Sequence, residues 1–181
     1  MENGTEGYIE KRLCDSDEKV KRILGKDGIK NRQLPVGLFK NSKSTANAVF
    51  TGKKSALDFW VLDGDELNVY ELKAGQKKAG ILTEIFFYSN YMRDVYWHKE
   101  LEGNKNVELI RTAKTDRSYD KLCNGIEDIT KITGCLLADE FHPAITESVL
   151  AVMNDNTVKE DLQYKMKTYK IQIDIFPVNE K

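Results

Sequence analysis

The stretch 55-SALDFWVLDGDELNVYELKAG-75 constrains the fold more than any other part of this chain. Two runs rich in β-branched and aromatic residues, 55-SALDFWVL-62 and 67-LNVYELK-73, flank 63-DGDE-66 with its Asp-Gly turn signal, the pattern of a β-hairpin. Side chains alternate along a strand, so Glu71 and Lys73 share a face with Val69, while Tyr70 and Leu72 take the other. On the partner strand Asp58 goes with Ala56, Trp60 and Leu62, and Leu57, Phe59 and Val61 lie opposite. Both faces of both strands are therefore largely apolar, which predicts central strands covered on each side. An unpaired carboxylate in such a place is costly, so Asp58, Glu71 and Lys73 need an explanation.

Register supplies part of it. With residues 63 to 66 as the turn, Leu62 faces Leu67, and counting back puts Asp58 opposite Glu71, with Cβ atoms about 4.5–5.5 Å apart and Lys73 on the diagonal at about 7–8 Å. A two-residue turn is expected to keep the faces but shift the pairing by two, and a three-residue turn would put Asp58 on the wrong side. Two facing carboxylates repel each other and need a proton, a lysine or a cation between them. Oxygen donors without histidine or cysteine suit Mg²⁺ or Mn²⁺. Such an ion would polarise a phosphoryl oxygen and lower the pKa of a bound water. Lys73, whose partial burial is expected to make a neutral fraction accessible, would then orient or deprotonate that water or steady the developing charge.

The rest of the chain alternates strands and helices. Apolar residues at Ile9, Leu13, Val20, Ile23 and Leu24 predict a helix over 6–24, ended by Gly25. A short strand 33-QLPVGLF-39 with Pro35 near its start, a polar loop 40-KNSKSTAN-47 and a resumed strand 48-AVF-50 precede the hairpin. After 74-AGQKKAG-80 a helix is predicted from Ile81 to His98, its stripe at Ile81, Ile85, Tyr88, Met92 and Val95. Then follow strand 107-VELIRT-112, helix 118–132, buried strand 134-GCLLA-138, a helix opened by Pro143 with His142 at its start, and a last strand 169-YKIQIDIF-176. The whole predicts a single α/β domain over residues 1–181, with a mixed central sheet and helices on both faces.

Composition narrows the function classes. Of 181 residues, 40% are hydrophobic and 31% charged, as in globular proteins, which sets aside disordered and fibrous classes. No apolar run reaches the roughly 18 residues of a membrane span and no basic, greasy leader opens the chain, so a cytoplasmic protein without membrane contact is expected. Cys14, Cys123 and Cys135 are scattered and odd in number, and His98 and His142 are the only histidines, which argues against a disulfide framework or a zinc site. The net charge of −1 is uninformative, but its distribution is not. Between Lys26 and Leu57 stand Lys26, Lys30, Arg32, Lys40, Lys43, Lys53 and Lys54 against Asp27 alone, and Lys77 and Lys78 follow Lys73. Lys53, Lys54, Lys77 and Lys78 are the candidate phosphate contacts.

Asp58, a hairpin, Glu71-Leu72-Lys73 at the end of the second strand and a long helix immediately after resemble the PD-(D/E)XK nuclease superfamily, with Leu57 where the motif name has proline. The resemblance implies a restriction-endonuclease-like fold and a Mg²⁺-dependent phosphodiesterase with Asp58 and Glu71 as metal ligands and Lys73 as the catalytic lysine. The run 69-VYELKAGQKKAGILTEIFFYSNYMRD-94 is similar to a branch of small members in which a glutamate on the following helix, here Glu84, recurs. Glu84 is three residues from Ile81 and four from Tyr88, which lets it face the sheet. A glutamate on the first helix is also implied, and Glu6 and Glu10 both qualify. The expected partner is nucleic acid, DNA ahead of RNA, with a homodimer or larger complex open. The rival expectations are an inactive binding or assembly module that keeps the fold and an orphan subunit of a defence or repair complex.

Overall fold

A computed structural model of the chain describes residues 4–50, 55–100, 103–109, 122, 126–155 and 161–175. Helices α1 (Glu6–Cys14) and α2 (Asp17–Leu24) come first, then strands β1 (Ile29–Pro35), β2 (Leu38–Lys40) and β3 (Ala48–Phe50). The hairpin β4 (Ala56–Asp63) and β5 (Glu66–Lys73) leads into α3 (Ile81–Tyr91), which continues through a wider helical turn, Met92–Trp97. Strand β6 (Val107–Leu109), strand β7 (Lys131–Ala138), helix α4 (Glu147–Met153), strand β8 (Leu162–Thr168) and a wide helical turn, Ile171–Ile175, complete the order. The fold is mixed α/β. Its main sheet has the order β1-β4-β5-β7-β8, antiparallel across β1, β4 and β5 and parallel across β5, β7 and β8; a smaller sheet has the order β3-β2-β6.

Helices cover both faces of the main sheet. Trp60, Leu62, Leu67, Val69 and Leu136 form one core cluster with Ile81 and Ile85 of α3 and Met92 of the turn that continues it. Phe59, Val61, Tyr70, Leu72 and Leu137 form the other with Ile9 and Leu13 of α1 and Val20 and Ile23 of α2. The two-sided apolar pattern of the hairpin thus has its cause in coverage from both sides, and burial of each large side chain contributes about 2–3 kcal/mol. Leu57 departs from the expected alternation and joins Leu34 in the α3-side cluster. Opposite it the ladder runs Arg32↔Phe59 and then Leu34↔Leu57, with Gln33 between them in a left-handed conformation (φ 53°) that turns the strand end.

The hairpin pairs Leu62 with Leu67 and Phe59 with Tyr70, the register expected for a turn at 63–66. One further pair, Asp63↔Glu66, leaves Gly64-Asp65 as a two-residue turn, with Gly64 at φ 61°. The expected shift by two does not occur, because both turns are centred on the same point and lengthening the ladder by a pair leaves the register alone.

Four other expectations are corrected. The helix over 6–24 is two helices, because the Ser16 hydroxyl accepts a hydrogen bond from Lys19 N (3.1 Å) and starts α2 anew, while Gly25 (φ 70°) closes it. The strand 33–39 is split, with β1 beginning at Ile29 and ending at Pro35 on the sheet edge. Residues 118–121 and 123–125 of the helix at 118–132 lie outside the described residues, but Ile126–Asp128 is a single 3₁₀ turn and Lys131 already belongs to β7. There Thr130 donates its N–H to Asp65 O (2.8 Å) and its hydroxyl to Asp65 Oδ2 (2.7 Å), drawing the segment alongside the hairpin. Downstream of Pro143, α4 starts only at Glu147, where the Thr146 hydroxyl accepts from Val149 N (3.3 Å). His142 stands before it, its Nδ1 accepting from Ala144 N (3.1 Å) within a turn.

The last strand is not 169–176 but 162–168. Asp174 N donates to Lys170 O (2.7 Å) and the Asp174 carboxylate accepts from Lys170 N (2.6 Å), a local pair that favours a turn over a strand. Tyr169 and Ile175 still serve the core, as part of the cluster under α1 and α2.

Candidate active site

Strand alternation and register bring the charged residues of the hairpin to one place. Continuing the observed pairing one step past Phe59↔Tyr70 puts Asp58 level with Glu71, at the strand end where Leu57 leaves the alternation, while Glu71 and Lys73 share the parity of Val69 on the face covered by α3. The Asp58 carboxylate Oδ2 accepts a hydrogen bond from Leu72 N (3.0 Å), so its side chain takes a ladder position at the strand end. Lys73 Nζ donates to Glu71 Oε1 at 2.6 Å and lies 3.0 Å from Glu84 Oε2 of α3. Glu71 and Lys73 are 4% and 7% exposed, and Glu84 stands at the solvent side of the group. The sequence-derived set Asp58, Glu71, Lys73 and Glu84 is thus one cluster.

Its charges are mutually dependent. Burial raises the Asp58 pKa, against the lowering effects of the Leu72 N–H and Lys73. Burial, then the Asp58 charge, then a hydrogen bond to the Glu84 carboxylate push Glu71 well above the carboxylate range, so Glu71 holds a proton at neutral pH. Glu71 Oε2 is buried and has no hydrogen-bond partner among the described residues, so this oxygen is left orphaned within the cluster. Glu84 is lowered: burial opposes ionisation, but hydrogen bonds from Glu71 and Lys73 and the Lys73 and Lys78 charges outweigh it. Lys73 corrects an expectation. Burial, its largest single influence, favours the neutral amine, but Glu71, Glu84 and Asp58 more than offset it and raise the pKa, so Lys73 is an ammonium rather than a partly neutral base.

Of the two first-helix glutamates, Glu10 is the one buried beside the cluster. It is 3% exposed, its Oε2 accepts from Gln33 Nε2 (2.8 Å) and Arg32 NH1 lies 3.7 Å away. Burial and then the Asp58 charge raise it to about 7, against Gln33 and Arg32. Glu6 is half-buried. Three further residues were not legible as site residues. Tyr169 donates its hydroxyl to Lys73 O (3.0 Å) from the opposite face, the Asp139 carboxylate accepts from Gly75 N (3.0 and 3.2 Å), and Tyr88, one turn beyond Glu84, hydrogen-bonds Ser55 and is pushed up to about 12 by burial and the carboxylates. The Glu84–Tyr88 spacing of four was the only sequence signal for any of them.

Lys53 and Lys54 lie outside the described residues; Lys77 is exposed and paired with Glu140, and Lys78 is exposed. As for a metal, among the described residues no three His, Cys, Asp or Glu side chains stand together as a ligand group. Two carboxylates, one carrying a buried oxygen without a hydrogen-bond partner, nevertheless fit Mg²⁺ or Mn²⁺, which take one or two protein carboxylates and fill the remaining positions with water or substrate. Among the described residues no helix is long and apolar enough to cross a membrane. No family model, curated protein or solved structure matches the chain.

Proposed function

We propose that this chain hydrolyses phosphodiester bonds of nucleic acid, DNA ahead of RNA, with Mg²⁺ or Mn²⁺, through a site of the PD-(D/E)XK type. The observation that carries the reading is the convergence of Asp58, Glu71 and Lys73 at the end of the hairpin, closed by Glu84 from the covering helix. A helix, an antiparallel three-strand unit and a helical crossover to β7, parallel to β5, agree with the restriction-endonuclease-like arrangement that the sequence resembles.

Asp58 and Glu71 would hold the metal, which supplies polarisation of a phosphoryl oxygen and activation of water. The protein's own residues do the rest. Lys73, fixed as an ammonium by Glu71 and Glu84, donates hydrogen bonds toward the charge that develops on the phosphoryl group rather than abstracting a proton. Glu84, ionised and at the solvent side, holds Lys73 from above and offers an acceptor for a water proton. Glu71 must lose its proton when a cation binds, so metal affinity rises with pH. In the test, the purified chain is incubated with single- and double-stranded DNA and RNA in Mg²⁺, Mn²⁺ or EDTA, beside Asp58→Asn, Glu71→Gln and Lys73→Ala. Metal-dependent cutting by the unaltered chain, lost in Lys73→Ala, is expected, with Mn²⁺ affinity weakened in the two carboxylate variants only. Equal Mn²⁺ affinity in all chains would sink the assignment of the ligands.

One observation favours a second reading, an inactive module that keeps the architecture: the buried part of the cluster is already balanced by Lys73 and a proton on Glu71, without a metal. Nucleic-acid binding without cleavage in any divalent metal is the result that would select it.

A further inference from the structure

The small sheet of β2, β3 and β6 has no part in the chemistry above, yet it grows from the site. Strand β1 leaves the main sheet at Pro35, paired with Ala56, and Val36 N continues the pairing by donating to Ser55 O (3.1 Å). This is the end of the hairpin at which Asp58, Glu71 and Lys73 lie. The face is the same as well. Tyr91, buried on α3 two helical turns beyond Glu84, donates its hydroxyl to Gly37 O (3.1 Å) and accepts from Gly37 N (3.4 Å). The root of the small sheet is therefore pinned to the helix that covers the cluster.

Charge separates the two regions. From Gly28 to Leu57 the chain has no acidic residue, whereas the site end of the main sheet carries Asp58, Glu71, Glu84, Asp139 and Glu140. Residues Lys40 to Ala46, which form the tip between β2 and β3, are all exposed and include Lys40 and Lys43 with Asn41, Ser42, Ser44 and Thr45 as neutral donors. A polyanion brought to the carboxylates meets repulsion there and needs cations close by, and the tip offers them.

We propose that the β2-β3 tip is a phosphate-contacting wing, in which Lys40 and Lys43 hold the nucleic-acid backbone to one side of the bond being cut; this rests on the nucleic-acid reading above. The four residues from Val36 to Lys40 span about 13 Å of extended chain.

The test is fluorescence anisotropy of the full chain with a labelled DNA duplex of about 20 base pairs, and its RNA counterpart, in EDTA so that nothing is cut. The Lys40→Gln/Lys43→Gln double variant is compared with Lys21→Gln/Lys165→Gln, which removes two exposed lysines remote from the tip. Each lost phosphate contact lowers the slope of log affinity against log salt by about 0.9, so the wing variant is expected to lose about 1.8 and the control nothing. Equivalently, its affinity deficit shrinks about twelvefold as salt rises from about 0.05 to about 0.2 M. Binding by the unaltered chain with the same slope in the wing variant overturns the wing and leaves the nucleic-acid reading intact. An unaltered chain that binds neither duplex overturns the wing, and the nucleic-acid reading falls with it where the metal-dependent cleavage above is absent as well. Circular dichroism of the variants controls for folding.

Discussion

Glu10 offers the most direct test of the electrostatics built into the site. Its carboxyl is raised from 4.5 to about 7, first by burial and then by Asp58, with Gln33 and Arg32 opposing. Each pKa unit corresponds to about 1.4 kcal/mol, so ionising Glu10 in the folded chain costs about 3 kcal/mol relative to the unfolded one. Because the folded pKa lies above the unfolded one, the contribution is fully present below about pH 4.5 and is lost as the pH rises through about 7. The Glu10→Gln substitution keeps an acceptor for Gln33 Nε2 and abolishes the titration. Urea unfolding followed by circular dichroism, in EDTA at pH 5 and pH 8, is expected to show the variant gaining about 2–3 kcal/mol on the parent between the two pH values, a midpoint change on the order of 1 M. Taking the difference between the two chains cancels the other carboxyls that titrate alongside. A difference that stays constant from pH 5 to pH 8 would refute the reasoning, for it would mean that Glu10 ionises as readily in the folded chain as in the unfolded one.

Further expectations test the surroundings of the cluster. Tyr169→Phe removes the hydroxyl donor from Lys73 O and leaves a buried carbonyl unpaired, which is expected to destabilise the chain by about 1–3 kcal/mol in chemical denaturation; an unchanged midpoint would show that the bond is dispensable. Gly134→Ala on β7 would put a Cβ 2.4 Å from Ser89 Oγ and 2.9 Å from the Tyr164 ring, and the overpacking is expected to cost about 1–3 kcal/mol, visible as a lower Tm. Ser16→Ala removes the cap of α2 and is expected to cost about 1 kcal/mol, with a melting curve identical to that of the parent as the contrary result.

How much of this was legible follows from how local each cause is. The hairpin was readable because its turn signal and two apolar faces lie within twenty residues, and its register followed from parity alone. Glu84 was readable for the same reason, since helical spacing ties it to Ile81 and Tyr88. Glu6 and Glu10 stayed undecided because the choice depends on how Ile9 and Leu13 seat α1 on the sheet, a tertiary fact with no local signature. For the last strand two segments compete. Residues 162-LQYKMKT-168 alternate too, with Leu162, Tyr164 and Met166 on one side, but their lysines obscure them beside the more apolar 169-YKIQIDIF-176. What decided between them was the Lys170–Asp174 pairing, a side-chain effect that strand propensity does not contain. The Lys73 charge has no local signature for a related reason: burial alone lowers a lysine pKa, and only the carboxylates around it reverse the sign.

The three charges hidden in the hairpin therefore answer to one constraint. Two carboxyls and a lysine inside a two-sided apolar sheet are tolerable only if their charges sum to nearly nothing, and the fold meets this with the Lys73 ammonium and a proton on Glu71. Replacement by apolar residues of similar volume would satisfy the same sheet at lower cost, so stability does not account for keeping them. Under the proposed function, a site that exchanges its internal proton for an external cation would account for them, because it needs the same arrangement in both states: a rigid pair of carboxyls, one of them relieved of its proton, and a lysine that keeps its charge throughout. Glu84, exposed where Glu71 is buried, is then the member of the group that water and substrate meet first.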